Sequence, residues 1–447
     1  MKILGTFILG LVSLFYYADD SVLTKVHRVG ELRVAIYDGL TTYYKRPDGQ
    51  LAGIEYELAK YFARELGVKL NIIKTSNSTE AFKQVMDNKV HFAVGLAITK
   101  EYQNKIRFTP PYQNVSYQII HHNNIIPPPN SFKYFNNKHK LYFSTKHTKV
   151  LEPLQTEYPK LLLQELSDTT PNELAKKIHD KEIKYAVLKS NLFTRVRLFY
   201  PELKASLTFP QQHHLAWAFS NSDDNSLYLT AIQFLNKLHK NGKLKQLIEN
   251  YYGYTNNVKD FTYLHIRNFL RHVKKRLPMY QEQFQLMAKQ YNLDWRLLAA
   301  IGYQESKWNS KAVSVTGVKG IMMLTKMTAD EMGIKDRTDP FESIQGGTKY
   351  FTILKQRISK QILGPDRVWL ALAAYNIGIG HMRDARKITA SHGDNPNLWQ
   401  DVKKHLPKLS QRNWYIKTKY GYARGYESIE YVENIRMFYD ILLMNII

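Results

Sequence analysis

The sequence predicts an α/β domain followed by a mainly helical one, and three observations carry that expectation. Strand-like and helix-like patterns alternate from Leu32 onward, a polar and basic stretch interrupts the chain after Tyr254, and beyond it apolar residues recur at helical spacing. The length of 447 residues accommodates two or three domains, and 44% hydrophobic residues with 13% aromatics supply cores for them.

The chain begins Met1, Lys2, then an apolar run from Ile3 to Tyr17, then Ala18, Asp19 and Asp20. A short positive start, an apolar stretch and a polar exit make a secretory signal, and the run is shorter than the roughly 20 residues of a spanning helix. Residues 1–18 are therefore expected to be a signal peptide on an exported chain. Tyr16 stands where a small residue usually precedes cleavage, so retention as an anchor stays open. The absence of cysteine rules out a disulfide framework, a thiolate metal site and a lipid-bearing cysteine.

In the first domain, "LRVAIY" reads as a strand, Pro47, Asp48 and Gly49 as a turn, and Ile54 to Leu66 as a helix stopped by Gly67. The period-two run "VKLNII" follows, then a helix with Phe82, Val85 and Met86 at helical spacing, then the apolar strand "HFAVGLA". Strands separated by helices of this length imply a parallel sheet covered on its faces. The stretch from His213 to Gly253 closes the region with a strand and two helices.

Four segments in order, "GELRVAIYDG", "GQLAGIEYELAKYFARELG", "ITKEYQNKIRFTPPY" and "NGKLKQLIENYYG", resemble the extracellular solute-binding proteins of amino-acid uptake, over about residues 22–254. The resemblance implies a two-lobed, periplasmic-binding-protein-like α/β domain. Members usually hold the ligand carboxylate with an Arg three residues after the Thr of "IT", where this chain has Tyr102. They often hold the ligand amine with an Asp near the end of a second-lobe strand, where the matching place is Lys189. A single hydroxyl cannot reproduce a bidentate guanidinium fork, so capture of free amino acids is not expected.

After Tyr254, "TNNVKD" and "RHVKKRLP" frame an expected linker over 255–270, with the second domain over 271–447. In "YQEQFQLMAKQYN", Phe284, Met287, Ala288 and Tyr291 share a face, and Asp294 is placed to cap a helix beginning at Trp295. On that helix Leu298, Ile301, Gly302 and Glu305 are neighbours at spacings of three and four. A carboxyl continuing an apolar stripe near the negative end of a helix is pushed toward its protonated form, as a general acid requires. The spacing alone leaves open that Glu305 swings off the helix end or pairs with Lys307.

Three further motifs occur in order: "ESKWN" with Ser314 and "TGVKGIMML", then "LALAAYNIGIG", then "GYARGYESIEYVENIRMFYDIL". Together they resemble the soluble lytic transglycosylases, whose fold is related to goose-type lysozyme, over about residues 270–447. The resemblance implies a helix-rich, lysozyme-like (α+β) domain that cuts the β-1,4 bond between N-acetylmuramic acid and N-acetylglucosamine and leaves a 1,6-anhydro end. Glu305 would be its single acid and base, with Ser314 orienting it and Met322, Met323, Tyr375, Asn376 and Tyr431 contacting substrate. No metal or organic cofactor is implied. Glycoside hydrolases usually pair two carboxylates, and no second acid lies close to Glu305 within the motif, although one from elsewhere in the fold stays open. Ser310 stands where the family usually has Pro, and Met323 where many members have Gln. A glycan-binding receptor without catalysis and a lysozyme-type hydrolase are the alternative readings.

The 63 Lys and Arg against 39 Asp and Glu give a formal charge of +24, which favours polyanions: nucleic acid, anionic lipid or an acidic wall polymer. The basic residues are spread along the chain, without a dominant tract or a zinc-finger or RNA-binding signature, so nucleic acid is not an expected partner. The expected partners are peptidoglycan strands at the second domain and a muropeptide or peptide of the wall at the first, where Lys189 would meet a carboxylate. The expected location is the periplasm, with peripheral attachment to the outer membrane.

Overall fold

The computed structural model describes residues 21–46, 50–144, 155–167, 169–252, 261–362 and 365–444. The signal expected over 1–18 and the turn expected at Pro47 to Gly49 lie outside them.

The alternation within the first strand explains how the first domain is layered. Glu31–Tyr37 lies between Lys69–Thr75 and Phe92–Ala97 and runs parallel to both. Leu32, Val34 and Ile36 point to one face, where they pack with Ile54, Leu58 and Phe62 of the helix Ile54–Glu65. Ala35 points to the other and meets Phe82 and Val85 of the helix Ser78–Met86. Both faces are buried, as a parallel sheet requires.

The 18-residue strand Leu203–Ser220 joins the two lobes. It runs antiparallel to Phe92–Ala97 of the first lobe and to Gln113–His122, which leads into the second. There Gln113–His122 pairs with Tyr185–Lys189, followed in parallel by Lys140–Ser144 and Leu162–Leu166. Register shifts along Leu203–Ser220 let it bend between separate cores. The helices Ser226–Lys240 and Lys243–Tyr252 close the domain as expected.

In the second domain the helix Trp295–Ser306 packs against Gln281–Tyr291 and Gly425–Leu443, and Gly425–Leu443 packs in turn on Asp366–Ile377. Leu298, Ile301, Phe351, Leu370, Ile435 and Phe438 fill the space between them. Among the described residues the β component of this domain is reduced to isolated bridges, Val313 with Lys319 and Lys319 with Leu324.

The expected linker over 255–270 needs correction. The chain is helical over Phe261–Lys275, and Ile266 and Phe269 are buried in the second domain's core. Burial of those side chains makes this helix a structural part of the domain that follows. The two domains also touch directly. Arg195 of the second lobe, 2% exposed, pairs with Asp440 at 2.7 Å, and Lys403 pairs with Glu249 at 2.5 Å.

Candidate active site

Glu305 owes its position to how its helix starts and stops. Asp294 caps the first turn by accepting from the Arg296 N–H. At the other end Lys307 and Trp308 are both left-handed, with φ of 53° and 54°, so the helix ends just beyond Glu305. The Trp308 indole N–H donates to the Ala299 carbonyl at 2.8 Å and locks this turn against the core. Lys307 is exposed, and no Lys307–Glu305 ion pair occurs among the described residues.

The next segment folds back over the helix because two glycines leave room. A Cβ at Gly302 would stand 3.1 to 3.3 Å from Phe284, Ile321 and Met322. Gly320, at φ 84°, lies so close to Arg337 that a Cβ would come within 1.9 Å of its carbonyl. Ser306 donates to the Ile321 carbonyl at 2.9 Å, and the Met322 N–H donates to the hydroxyl of the buried Ser343 at 3.1 Å. These bonds fix the floor beside Glu305.

Tyr431, from Gly425–Leu443, donates its hydroxyl to Glu305 Oε1 at 2.5 Å. Part of Glu305 remains open to the groove while its carboxyl is enclosed by protein. Burial lifts that carboxyl to about 7, against the opposing pull of the Tyr431 bond, and no other group among the described residues contributes to the shift. The Tyr431 and Tyr375 hydroxyls are both raised well above their ordinary value, by burial first and then by the charge of Glu305. A carboxyl balanced near neutrality beside one neutral donor is able both to give up a proton and to take one back.

The structure brings Glu305, Tyr375 and Tyr431 together. Tyr375 donates to the Met322 carbonyl at 2.9 Å and rests its ring 5.2 Å from that of Tyr350. Asn376 is exposed at the next position, and Met323 is partly exposed in a left-handed conformation with φ 47°. Two expected roles change. The Met322 side chain is fully buried against Gly302 and Gly347, so only its backbone carbonyl serves the site. The Ser314 hydroxyl is held within its own turn by Thr316 and Val318, and the group that orients Glu305 is Tyr431. Tyr350, Ser306 and Ser343 were not expected. Ser306 adjoins Glu305 in sequence, but Tyr350 and Ser343 belong to a helix without a distinguishing local pattern.

In the first domain a cavity of about 330 Å³ opens between the lobes, lined in part by Tyr37, Asp38, Lys74, Asn172 and Lys189. Burial works against the charge on Lys189, but Tyr37, Tyr117 and Glu55 outweigh it and raise the ammonium pKa. Tyr102 is stacked on Phe82 at 3.8 Å and buried in the core, so it is not a substitute for a ligand-binding Arg. Among the described residues no group of three or more His, Asp or Glu is arranged to hold a metal ion.

Two family models match the chain: bacterial extracellular solute-binding proteins, family 3, over residues 32–254, and the transglycosylase SLT domain over residues 282–398. Membrane-bound lytic murein transglycosylase F of Pseudomonas fluorescens is 40% identical over 424 residues, covering 94% of this chain and 86% of that protein. Membrane-bound lytic murein transglycosylase F 1 of Alkalilimnicola ehrlichii is 39% identical over 424 residues, covering 94% and 85%. Among solved structures, the amino acid ABC transporter substrate-binding protein AbpA of Streptococcus pneumoniae, bound to L-arginine, is 22% identical and covers 52% of this chain and 98% of that one, with a TM-score of 0.46.

Proposed function

The chain belongs to the membrane-bound lytic murein transglycosylase F family, and from that premise we propose that it is a peptidoglycan lytic transglycosylase in which Glu305 alone serves as acid and then as base. The observation that carries the assignment of Glu305 is its enclosed carboxyl, lifted to about 7 and bonded only to the Tyr431 hydroxyl. Protonated Glu305 gives its proton to the glycosidic oxygen as the bond from the muramoyl C1 breaks, and N-acetylglucosamine leaves with a free hydroxyl. The resulting carboxylate takes the proton from the muramoyl 6-hydroxyl while that oxygen closes onto C1. Glu305 is restored, no water is consumed, and the product carries a 1,6-anhydro end. The attacking hydroxyl belongs to the sugar itself, so its effective concentration replaces a positioned water and a second carboxylate.

Tyr431 holds the carboxyl in place through both proton transfers, and Tyr375 anchors the floor through the Met322 carbonyl. Asn376 and Met323 are the side chains left to meet the sugar amides. Mass spectrometry of digested peptidoglycan tests this reading: anhydro-muramoyl ends are expected, whereas reducing ends or no products overturn it.

For the first domain, taken as residues 22–254, the reading is a sensor of a wall-derived peptide. Lys189 and Lys74 at the cavity favour a ligand carrying carboxylates. Such a ligand changes turnover only if it binds the active arrangement more tightly than the inactive one. Titration of muropeptides into the full chain during turnover checks the coupling, and binding without a change in rate would reduce the domain to a tether. The chain is placed in the periplasm, peripherally attached to the outer membrane. No helix among the described residues is long and apolar enough to cross a membrane. Release from membranes by a salt or alkaline wash is the expected behaviour.

A further inference from the structure

The segment leading into the Gly425–Leu443 helix exposes aromatic rings in fixed positions. Tyr420 and Tyr422 are 43% and 54% exposed, with Lys417 and Lys419 also exposed beside them. The backbone beneath them is tied down. The Tyr420 N–H donates at 2.8 Å to the carboxylate of the buried Asp384, and the Gly421 N–H donates to the Thr418 hydroxyl at 3.2 Å. The Ala423 N–H donates to the Leu409 carbonyl at 3.0 Å, and Gly425 fits so tightly that a Cβ would come within 1.9 Å of the Leu406 carbonyl. Rings held this way lose little further conformational freedom on contact, which is the advantage of a preorganised binding surface.

Both ends of the segment continue the walls of the site. The Tyr420 ring lies over Gly380, where a Cβ would stand 2.6 Å from it. Gly380 belongs to the helix Ile379–Ser391, which follows directly on Tyr375, Asn376 and Gly378. At the other end, Gly425 begins the helix that carries Tyr431, about 9 Å farther along its axis at 1.5 Å per residue. The exposed rings therefore extend the surface on which Glu305 meets its substrate.

We propose that Tyr420 and Tyr422, with Lys417 and Lys419, form an outer platform for the peptidoglycan strand beyond the sugars that flank the cleaved bond. This rests on the transglycosylase reading. A tyrosine offers an apolar face to the C–H side of a saccharide ring and a hydroxyl to its rim. The ammonium groups meet carboxylates of the peptide stems, in keeping with the net charge of +24. The platform makes the enzyme prefer long, stem-bearing strands over short fragments.

The test compares the full chain with Tyr420→Ala, Tyr422→Ala and the double variant, on long glycan strands and on a single muropeptide tetrasaccharide. In the double variant the ratio of kcat/KM on long strands to that on the short substrate is expected to fall about tenfold, through KM, on the scale of one lost aromatic contact. The Phe variants restore most of it. An unchanged ratio, or equal loss on both substrates, overturns the platform. Tyr422→Ala stands alone as a test should loss of the Gly380 contact unfold Tyr420→Ala. For the stems, Lys417→Glu with Lys419→Glu should raise KM several-fold on stem-bearing strands and leave stem-free strands unchanged, and equal effects on both overturn that part. Wild-type protein that forms anhydro ends from neither substrate would overturn the underlying reading and the platform with it.

Discussion

Two glutamates, one in each domain, sit in closely similar surroundings. Glu55 accepts from the Tyr112 hydroxyl and Glu305 from the Tyr431 hydroxyl, each at 2.5 Å, and burial lifts both carboxyls to about 7. Their settings differ in two respects. Glu55 lies in the first turn of its helix, where the dipole favours a carboxylate, and Glu305 lies in the last turn, where it favours the acid. Glu55 is also sealed at 1% exposure, with Gly95 pressed against it and Lys189 lowering its pKa, whereas Glu305 faces a groove. A raised pKa therefore records burial in both domains, and access to substrate separates the catalytic carboxyl from the structural one.

The largest effect that tests this contrast is on turnover. Glu305→Gln should keep the fold and lose about 10² to 10⁴ in rate, because an amide cannot donate and retake a proton. Glu55→Gln should cleave at close to the wild-type rate when both are assayed on purified sacculi. Comparable losses from the two would break the distinction, and near-full activity of Glu305→Gln would move the acid elsewhere.

The same pair differs less in pH dependence. Only protonated Glu305 can begin the reaction, so kcat/KM should fall as pH rises through about 7. For stability the sign is fixed by a folded pKa above the unfolded value of 4.5. The unfolded chain ionises first, so wild type loses stability between about pH 4.5 and 7. Glu305→Gln escapes that loss and should melt higher than wild type at pH 8 but not at pH 4, by thermal unfolding. An equal Tm at pH 8 would mean that the carboxyl is better solvated than its surroundings imply.

A smaller change is expected from Tyr431→Phe. The Tyr431 bond favours the ionised carboxyl, so its removal should shift the falling limb of the pH–rate profile upward and slow turnover several-fold, within the range of one lost hydrogen bond to a charged group. An inert Tyr431→Phe beside an unfolded Tyr431→Ala would reduce the ring to packing. The smallest expected signal is in the first domain. Calorimetric titration of free amino acids into the full chain should show no tight binding, since Tyr102 is committed to the core and Lys189 occupies the amine position with a like charge. Tight arginine binding would show that the cavity has another carboxylate clamp.

Much of the fold was legible because it rests on local periodicity. The strand "LRVAIY", the helix from Ile54 and the apolar stripe of Leu298, Ile301, Gly302 and Glu305 each declare their buried faces by spacing alone. The same spacing placed a carboxyl on the apolar side of a helix end, which is why Glu305 stood out. The linker was misjudged because the polar residues of the helix Phe261–Lys275 hide a sparse stripe, Ile266, Phe269 and Val273, whose burial depends on partners far away in the chain.

What the sequence determined by itself was the order of elements, the succession of two domain classes and the helix face that carries Glu305. Only the tertiary structure decided which groups meet that carboxyl. Tyr431 arrives from 126 residues away, Met322 turns into the core and offers only its carbonyl, and Ser314 closes on its own turn. The physical reason is that side-chain direction on a helix follows from residue spacing, whereas between Ser314 and Leu324 it follows from individual backbone angles, such as φ of 84° at Gly320 and 47° at Met323. Those angles are held by contacts with Arg337, Ser343 and Tyr375, which the local sequence does not contain.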